Sequence, residues 1–161
     1  MLKLSVLDQS TSASGQDEDQ SIRDTILLAQ LSEKLNYKRF WVSEHHNHPT
    51  IIGSAPEIIM GAIGQATTKI RIGSAGIMLP HYAPLKVAEQ FRVLESIAPD
   101  RIDLGLGRAP GSDRKTAYAL NPSAHSDAED FPANVRDLMA WVSGQHLISG
   151  HPFHDLKAHP L

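Results

Sequence analysis

Arg39-Phe40-Trp41-Val42-Ser43-Glu44-His45-His46-Asn47 decides how the rest of the chain is read. Its first four residues suit a pleated, half-buried strand. They run straight into a polar segment rich in imidazole. A strand whose C-terminal end opens directly onto chemistry-bearing side chains is the habit of parallel α/β folds, where function collects at strand C-termini.

Working outward, the same rhythm recurs on both sides. Upstream, Leu2 to Leu7 reads as a strand, followed by a polar loop from Thr11 to Gln20 and a helix from Ser21 to Leu35. Leu28, Leu31 and Leu35 recur at helical spacing there and are expected to face the core. Downstream, Ser54-Ala55-Pro56-Glu57 has the form of a capping box. It opens a helix expected to bury Ile58, Ile59, Ala62, Ile63 and Ala66. Ile70 to Leu79 is expected as one strand, ended by Pro80. A helix over Pro84 to Ile97 follows, with Val87, Phe91 and Leu94 on one face.

Arg101 to Gly105 reads as a fourth strand. A polar stretch from Ala109 to Glu129 contains a short helix near Lys115 to Leu120. The last helix starts near Phe131, with Val135, Leu138, Met139 and Val142 repeating along it. The tail from Ser149 to Leu161 lacks periodicity and reads as a solvated end without a role. Four strand–helix alternations mean parallel strands with helical crossovers, in an open doubly wound sheet or in half of a barrel.

Composition narrows the function classes. The 161 residues are 41% hydrophobic and 20% charged, which is globular and long enough for one sizeable core. No apolar run approaches the roughly 18 residues of a bilayer span, and Met1 to Ser5 lacks the apolar region of a secretory signal. The formal charge of −3 speaks against broad nucleic-acid binding. The absence of cysteine excludes disulfides and thiolate metal sites and fits a cytoplasmic protein. A small-molecule partner is the expectation.

Three groups at the strand ends carry the chemistry. His45 stands at the mouth of the second strand, where an imidazole titrating near neutrality suits proton transfer. Glu44 is adjacent, although neighbouring strand residues point to opposite faces. His46 and His48 have the plainer reading of bonding their own loop. Gly105-Leu106-Gly107-Arg108-Ala109-Pro110-Gly111 departs from the dinucleotide fingerprint in its spacing. Its Arg108 suits an anionic cofactor or substrate. Gly73-Ser74-Ala75-Gly76 is a run of small residues inside a strand. It is open to a flat ligand against the backbone, or to a bulge or tight barrel layer.

Taken together these blocks resemble the bacterial luciferase superfamily of flavin-dependent monooxygenases, in a non-luminescent form. The resemblance also takes in Ile70 to Pro80 and Ala83-Pro84-Leu85-Lys86-Val87-Ala88-Glu89-Gln90-Phe91, and so spans nearly the whole chain in order. It implies residues 1–161 as the N-terminal half, about four βα units, of a TIM-type (β/α)8 barrel of about twice this length. On that reading the chain stops before the fifth strand. It also implies reduced FMN as cofactor, with a deazaflavin in a minority of members; the Glu-His-His block leans towards FMN. The activity implied is oxidation of an aldehyde or other small organic substrate with O2, the reduced flavin coming from a flavin reductase.

The resemblance makes His45, with Glu44, the catalytic group. It sets Ala75 and Gly76 against the flavin ring, where relatives can hold a cis peptide, and gives Gly107 and Arg108 to the flavin phosphate. Luciferase itself has cysteine at the position of Gly107, so light emission is not implied. Two further readings stand beside the enzyme. One is an inert half-barrel that self-associates as a homo-oligomer, two copies completing each other. The other is a metal-dependent barrel hydrolase using His45, His46 and His48.

Overall fold

The computed structural model describes residues 2–109, 113–123 and 129–160. Its framework is four strands in the order β1 (Ser5–Asp8), β2 (Arg39–Val42), β3 (Arg71–Ser74) and β5 (Ile102–Asp103), all pairing in parallel. The connections are α1 (Glu18–Lys34), α2 (Pro56–Ala66) and α3 (Pro84–Ile97). β4 (Ile77–Met78) and β6 (Leu106–Gly107) form a second parallel pair beyond β3 and β5. A short 3-10 turn (Leu79–His81), α4 (Arg114–Leu120) and α5 (Phe131–Val142) complete the set. Four βα units on one parallel sheet are the arrangement of the first half of a TIM-type barrel.

Register gives the sheet two unlike faces. Val6, Phe40, Ile72 and Ile102 lie side by side across the strands. They join a core with Ile59, Met60 and Ile63 of α2, Val87, Phe91 and Leu94 of α3, and Leu138 and Trp141 of α5. Each such large side chain, fully buried, contributes about 1.5–3 kcal/mol. One position on, Leu7, Trp41, Gly73 and Asp103 line the face turned away from the helices.

β2 and α3 match their predicted limits, and α4 and α5 start within a residue of theirs. Other expectations are corrected. β1 and α1 both lie somewhat off their predicted bounds. More tellingly, α1 turns Leu28, Leu31 and Leu35 outward and buries Ser21, Thr25, Ala29 and Ser32. Small side chains let this helix lie close, and two of its hydroxyls bond back to the helix: Thr25 Oγ1 to the Ser21 carbonyl and Ser32 Oγ to that of Leu28. On α2, Ile58 and Ala62 are exposed, while Met60 and Gly64 take buried places. The capping box does not form: Pro56 takes the first helical position, so the cap falls on Ala55, which has no side-chain acceptor. Met139 is exposed and Trp141 buried instead.

The third strand is interrupted, and so is the fourth. Ser74 Oγ donates to the Gly105 carbonyl (2.9 Å) and accepts from the Gly105 N–H (3.1 Å), so a side chain enters the ladder. The backbones are so close here that a Cβ on Gly105 would lie 2.2 Å from the Ser74 oxygen. The Ala75–Gly76 peptide between β3 and β4 is cis. The tail is likewise not a free end. Ala158 is buried, and Trp141 Nε1 donates to the Leu156 carbonyl at 3.1 Å. Arg92 donates to the carbonyls of Trp141, Val142 and Pro160.

Glu33 fixes the entry to β3. Its carboxylate accepts the N–H groups of Thr68, Lys69 and Ile70 at 2.6–3.1 Å. Burial alone would raise this carboxyl, but the N–H donors of Ile70, Lys69 and Thr68 outweigh it and hold it below its ordinary value.

Three substitutions probe this packing. Gly105→Ala is expected to destabilise by about 2 kcal/mol or more, because the neighbour it meets is backbone. Gly61→Ala, whose Cβ meets only Leu94 Cδ2 at 3.7 Å, is expected to stabilise by up to about 1 kcal/mol; urea unfolding reads both. Glu33→Gln is expected to cost about 1 kcal/mol at neutral pH, after discounting for partial exposure. Because the folded-state pKa is depressed, the stabilisation is fully present above the ordinary glutamate value of about 4.3. It is lost as pH falls through the folded value, so the wild-type and variant stabilities converge in acid.

Candidate functional site

The site is built where β2, β3 and β6 end. β2 stops at Val42, and the chain leaves the ladder over Ser43 to His46. The strict alternation that would separate Glu44 from His45 therefore does not apply. His45 is half-buried; its N–H donates to the Gly53 carbonyl (3.0 Å) and its Nδ1 lies 3.2 Å from Ser43 Oγ. Ala75 is drawn to the same place by its N–H, which donates to the Val42 carbonyl at 2.8 Å. Ile77 N–H donates to the Gly105 carbonyl (2.9 Å), and Met78 pairs in register with Gly107, which precedes the exposed Arg108. His45, Ala75, Gly76, Gly107 and Arg108 thus belong to one interlocked set of strand ends. Pro110 and Gly111, which end the glycine-rich segment, lie outside the described residues, as do residues 124–128 of the polar stretch after it.

Glu44 lies beneath this surface rather than on it. Its side chain is fully enclosed, yet it carries a carboxylate. Isolated burial of that charge would cost several kcal/mol. Three donors meet it instead: the Met78 N–H on Oε2 (2.8 Å), and Tyr82 OH (2.5 Å) and His46 Nε2 (2.8 Å) on Oε1. The His46 contact is a hydrogen bond with the Nε2–H tautomer and an ion pair when the ring is protonated. Burial, and then the Glu44 carboxylate, push the Tyr82 phenol well above its usual range, so Tyr82 serves as a permanent donor. The rings of His46, His81 and Tyr82 succeed one another edge to face. A cleft of about 510 Å³ beside His81 and Tyr82 extends to Asn121 and Asn134.

His48 bonds its own loop as expected, Nδ1 accepting from the N–H groups of Thr50 and Ile51. Among the described residues, no three His, Asp or Glu side chains converge closely enough to hold a metal ion. Asn47 reaches Asp113 Oδ2 at 3.3 Å, tying the histidine segment to the start of α4. There Asp113 caps the helix through the N–H groups of Lys115 and Thr116. The Thr116 hydroxyl and N–H, then Asn47, hold its carboxyl down to about 2.

The small-residue run is used by the protein itself. A Cβ on Gly73 would lie 2.6 Å from the Trp41 ring, and one on Gly76 would lie 2.8 Å from the Gly105 backbone. Close packing accounts for the lack of a side chain at both glycines; Gly73 is buried, while Ala75 and Gly76 are both half-buried. Sequence reasoning missed Tyr82 and Met78 as partners of Glu44. Nothing local could have found them, since they join across 34 to 38 residues.

The family model described as luciferase-like monooxygenase matches residues 2–146. The N-acetyl-S-alkylcysteine monooxygenase of Bacillus subtilis is 44% identical over 142 residues, covering 88% of this chain and 42% of that protein. The crystal structure of apo-MsnO8 superposes with a TM-score of 0.86 at 38% identity, over 100% of this chain and 46% of that one. The oxygenating constituent of 3,6-diketocamphane monooxygenase from Pseudomonas putida, solved with FMN, shares the fold. Its TM-score is 0.74 at 17% identity, over 97% of this chain and 47% of that one. The chain spans about half the length of the curated relatives it matches.

The Glu44 anchor has a measurable consequence. Glu44→Ala leaves buried donors unpaired and is expected to cost about 3 kcal/mol or more. Tyr82→Phe is expected to cost about 1.5–3 kcal/mol. In urea unfolding the double variant should lose less than the two single losses combined, because both remove one contact.

Proposed function

The chain belongs to the luciferase-like monooxygenase family, and from that premise we propose that it carries the proton-handling and cofactor-facing part of a flavin-dependent monooxygenase. The observation behind this reading is the convergence of His45, Ala75 and Arg108 on adjoining strand ends, held together by the Ala75-to-Val42 and Ile77-to-Gly105 bonds. The residues present fit a flavin mononucleotide. Arg108 is an exposed cation suited to its phosphate, Ala75 is a small side chain suited to lie under a flat ring, and His45 is a half-buried imidazole beside them. The bound reduced flavin would supply the electrons that activate O2.

In this reading His45 accepts or returns a proton at its ring nitrogen, and Ser43 Oγ, 3.2 Å from Nδ1, sets the orientation of the ring. Glu44, first expected as a second catalytic group, is a positioning residue: its enclosed carboxylate has no surface to offer a ligand. It holds Met78, hence β4, hence the segments bearing Ala75 and Arg108. FMN is the flavin that the phosphate-facing Arg108 favours. The substrate is a small organic molecule. Aldehydes and S-alkyl thioethers are the classes to assay, the latter because of the relative that acts on N-acetyl-S-alkylcysteine.

The test is titration of the purified chain with oxidised FMN and, anaerobically, with reduced FMN, alongside riboflavin. Saturable FMN binding is expected, and Arg108→Ala should weaken FMN about tenfold or more while leaving riboflavin, which lacks the phosphate, unchanged. Equal losses for both ligands would overturn the role of Arg108. Where turnover is measurable, His45→Ala should abolish most of it with an unchanged melting curve. Unchanged turnover would remove His45 from the mechanism.

A further inference from the structure

His45 and His48 stand edge-on to each other, with ring centroids 6.4 Å apart and planes inclined by 66°. In each ring the hydrogen bonds decide where the proton sits. Nδ1 of His48 accepts from the N–H groups of Thr50 (3.2 Å) and Ile51 (3.1 Å), so the neutral ring carries its proton on Nε2. His45 reaches the same state through Ser43. The Ser43 hydroxyl is buried, and its one hydrogen-bond partner among the described residues is His45 Nδ1, 3.2 Å away. A proton on Nδ1 would leave that buried hydroxyl without an acceptor. The hydroxyl therefore donates, and the neutral His45 ring also keeps its proton on Nε2.

Among the described residues nothing accepts from either Nε2. The neighbouring carboxylates are engaged elsewhere. Glu44 is held by Met78, Tyr82 and His46, and Asp113 by Asn47 and the start of α4. The loop bearing His48 lies on the β1 side of β2, where Ile51 bridges Thr11 and the Ser12 N–H donates to the Thr50 carbonyl. Ala75 is bonded to Val42 from the opposite side, at the end of β3. A flat ring on Ala75 thus leaves the β1 side of His45 to another molecule.

We propose that His45 and His48 are a pair of donors for one oxygen of the substrate, a carbonyl or carboxylate, and that His48 selects substrates carrying one. A hydrogen-bonded oxygen sits about 4 Å from an imidazole centroid, so a single oxygen is within reach of both rings. Giving that oxygen to the substrate rests on the flavin reading of this mouth; the tautomers of the two rings do not.

The test reads the ring protons of the purified chain by long-range proton–nitrogen correlation NMR, with His45→Gln and His48→Asn assigning the signals. Both neutral rings are expected with the proton on Nε2, and Ser43→Ala should let His45 populate the Nδ1–H form. Hexanoate is then titrated, beside butyl methyl sulfide as a probe without oxygen. Hexanoate should shift both rings along one saturation curve, and the sulfide neither. His48→Asn keeps a side-chain acceptor for the Thr50 and Ile51 N–H groups but is too short to reach the oxygen. It should weaken hexanoate about tenfold or more with an unchanged melting curve. An Nδ1–H tautomer at either wild-type ring would overturn the proposal, as would hexanoate affinity unmoved by His48→Asn. Neither readout involves flavin, so both decide the matter even if FMN fails to bind.

Discussion

A buried carboxylate cannot be left alone, and at Glu44 the need for donors organises the whole mouth. Its oxygens draw in the Met78 N–H, the Tyr82 hydroxyl and the His46 ring. Met78 belongs to β4, β4 pairs with β6, and β6 leads to Arg108. The residue next to Glu44 is His45. One desolvated charge therefore ties the imidazole segment to β4 and, through β6, to the segment that bears Arg108.

The same economy appears in the layer below. Ser74 and Gly105 exchange two hydrogen bonds through a side chain placed in the ladder, which is possible only because Gly105 lacks a Cβ. Gly73 likewise yields its volume to the Trp41 indole, whose N–H then reaches Asp103. These glycines are spent on close packing, and that packing brings the strand ends within reach of one another. The two faces of the sheet consequently differ in kind. The helix side is a sealed apolar core, while the other carries charged side chains and an exposed leucine.

Elements whose signals are local were legible. β2 is a run of sheet-forming residues, and α3 is bounded by Pro84 at its start and carries one apolar face. Where two structures share one local pattern, sequence reading chose wrongly. The leucines of α1 have perfect helical spacing, but so do Ser21, Thr25, Ala29 and Ser32, which are the ones buried. Ser54 and Glu57 have capping-box spacing, but Pro56 shifts the helix start by one residue. The third strand seemed continuous because its interruption depends on Gly105, 31 residues further on.

For the site, sequence alone determined the parallel βα alternation, the family, and the set of chemistry-bearing residues at the strand ends. These are carried by residue type and short spacing, which survive without any knowledge of contacts. Tertiary structure decided the surroundings of each member of that set. It enclosed Glu44, brought Tyr82 to it, packed Gly73 and Gly105 against their neighbours, and shared Asp103 between Arg39 and Arg71. The reason is physical: burial, desolvation and charge pairing are properties of neighbours in space, and here those neighbours stand 31 to 62 residues apart in the chain.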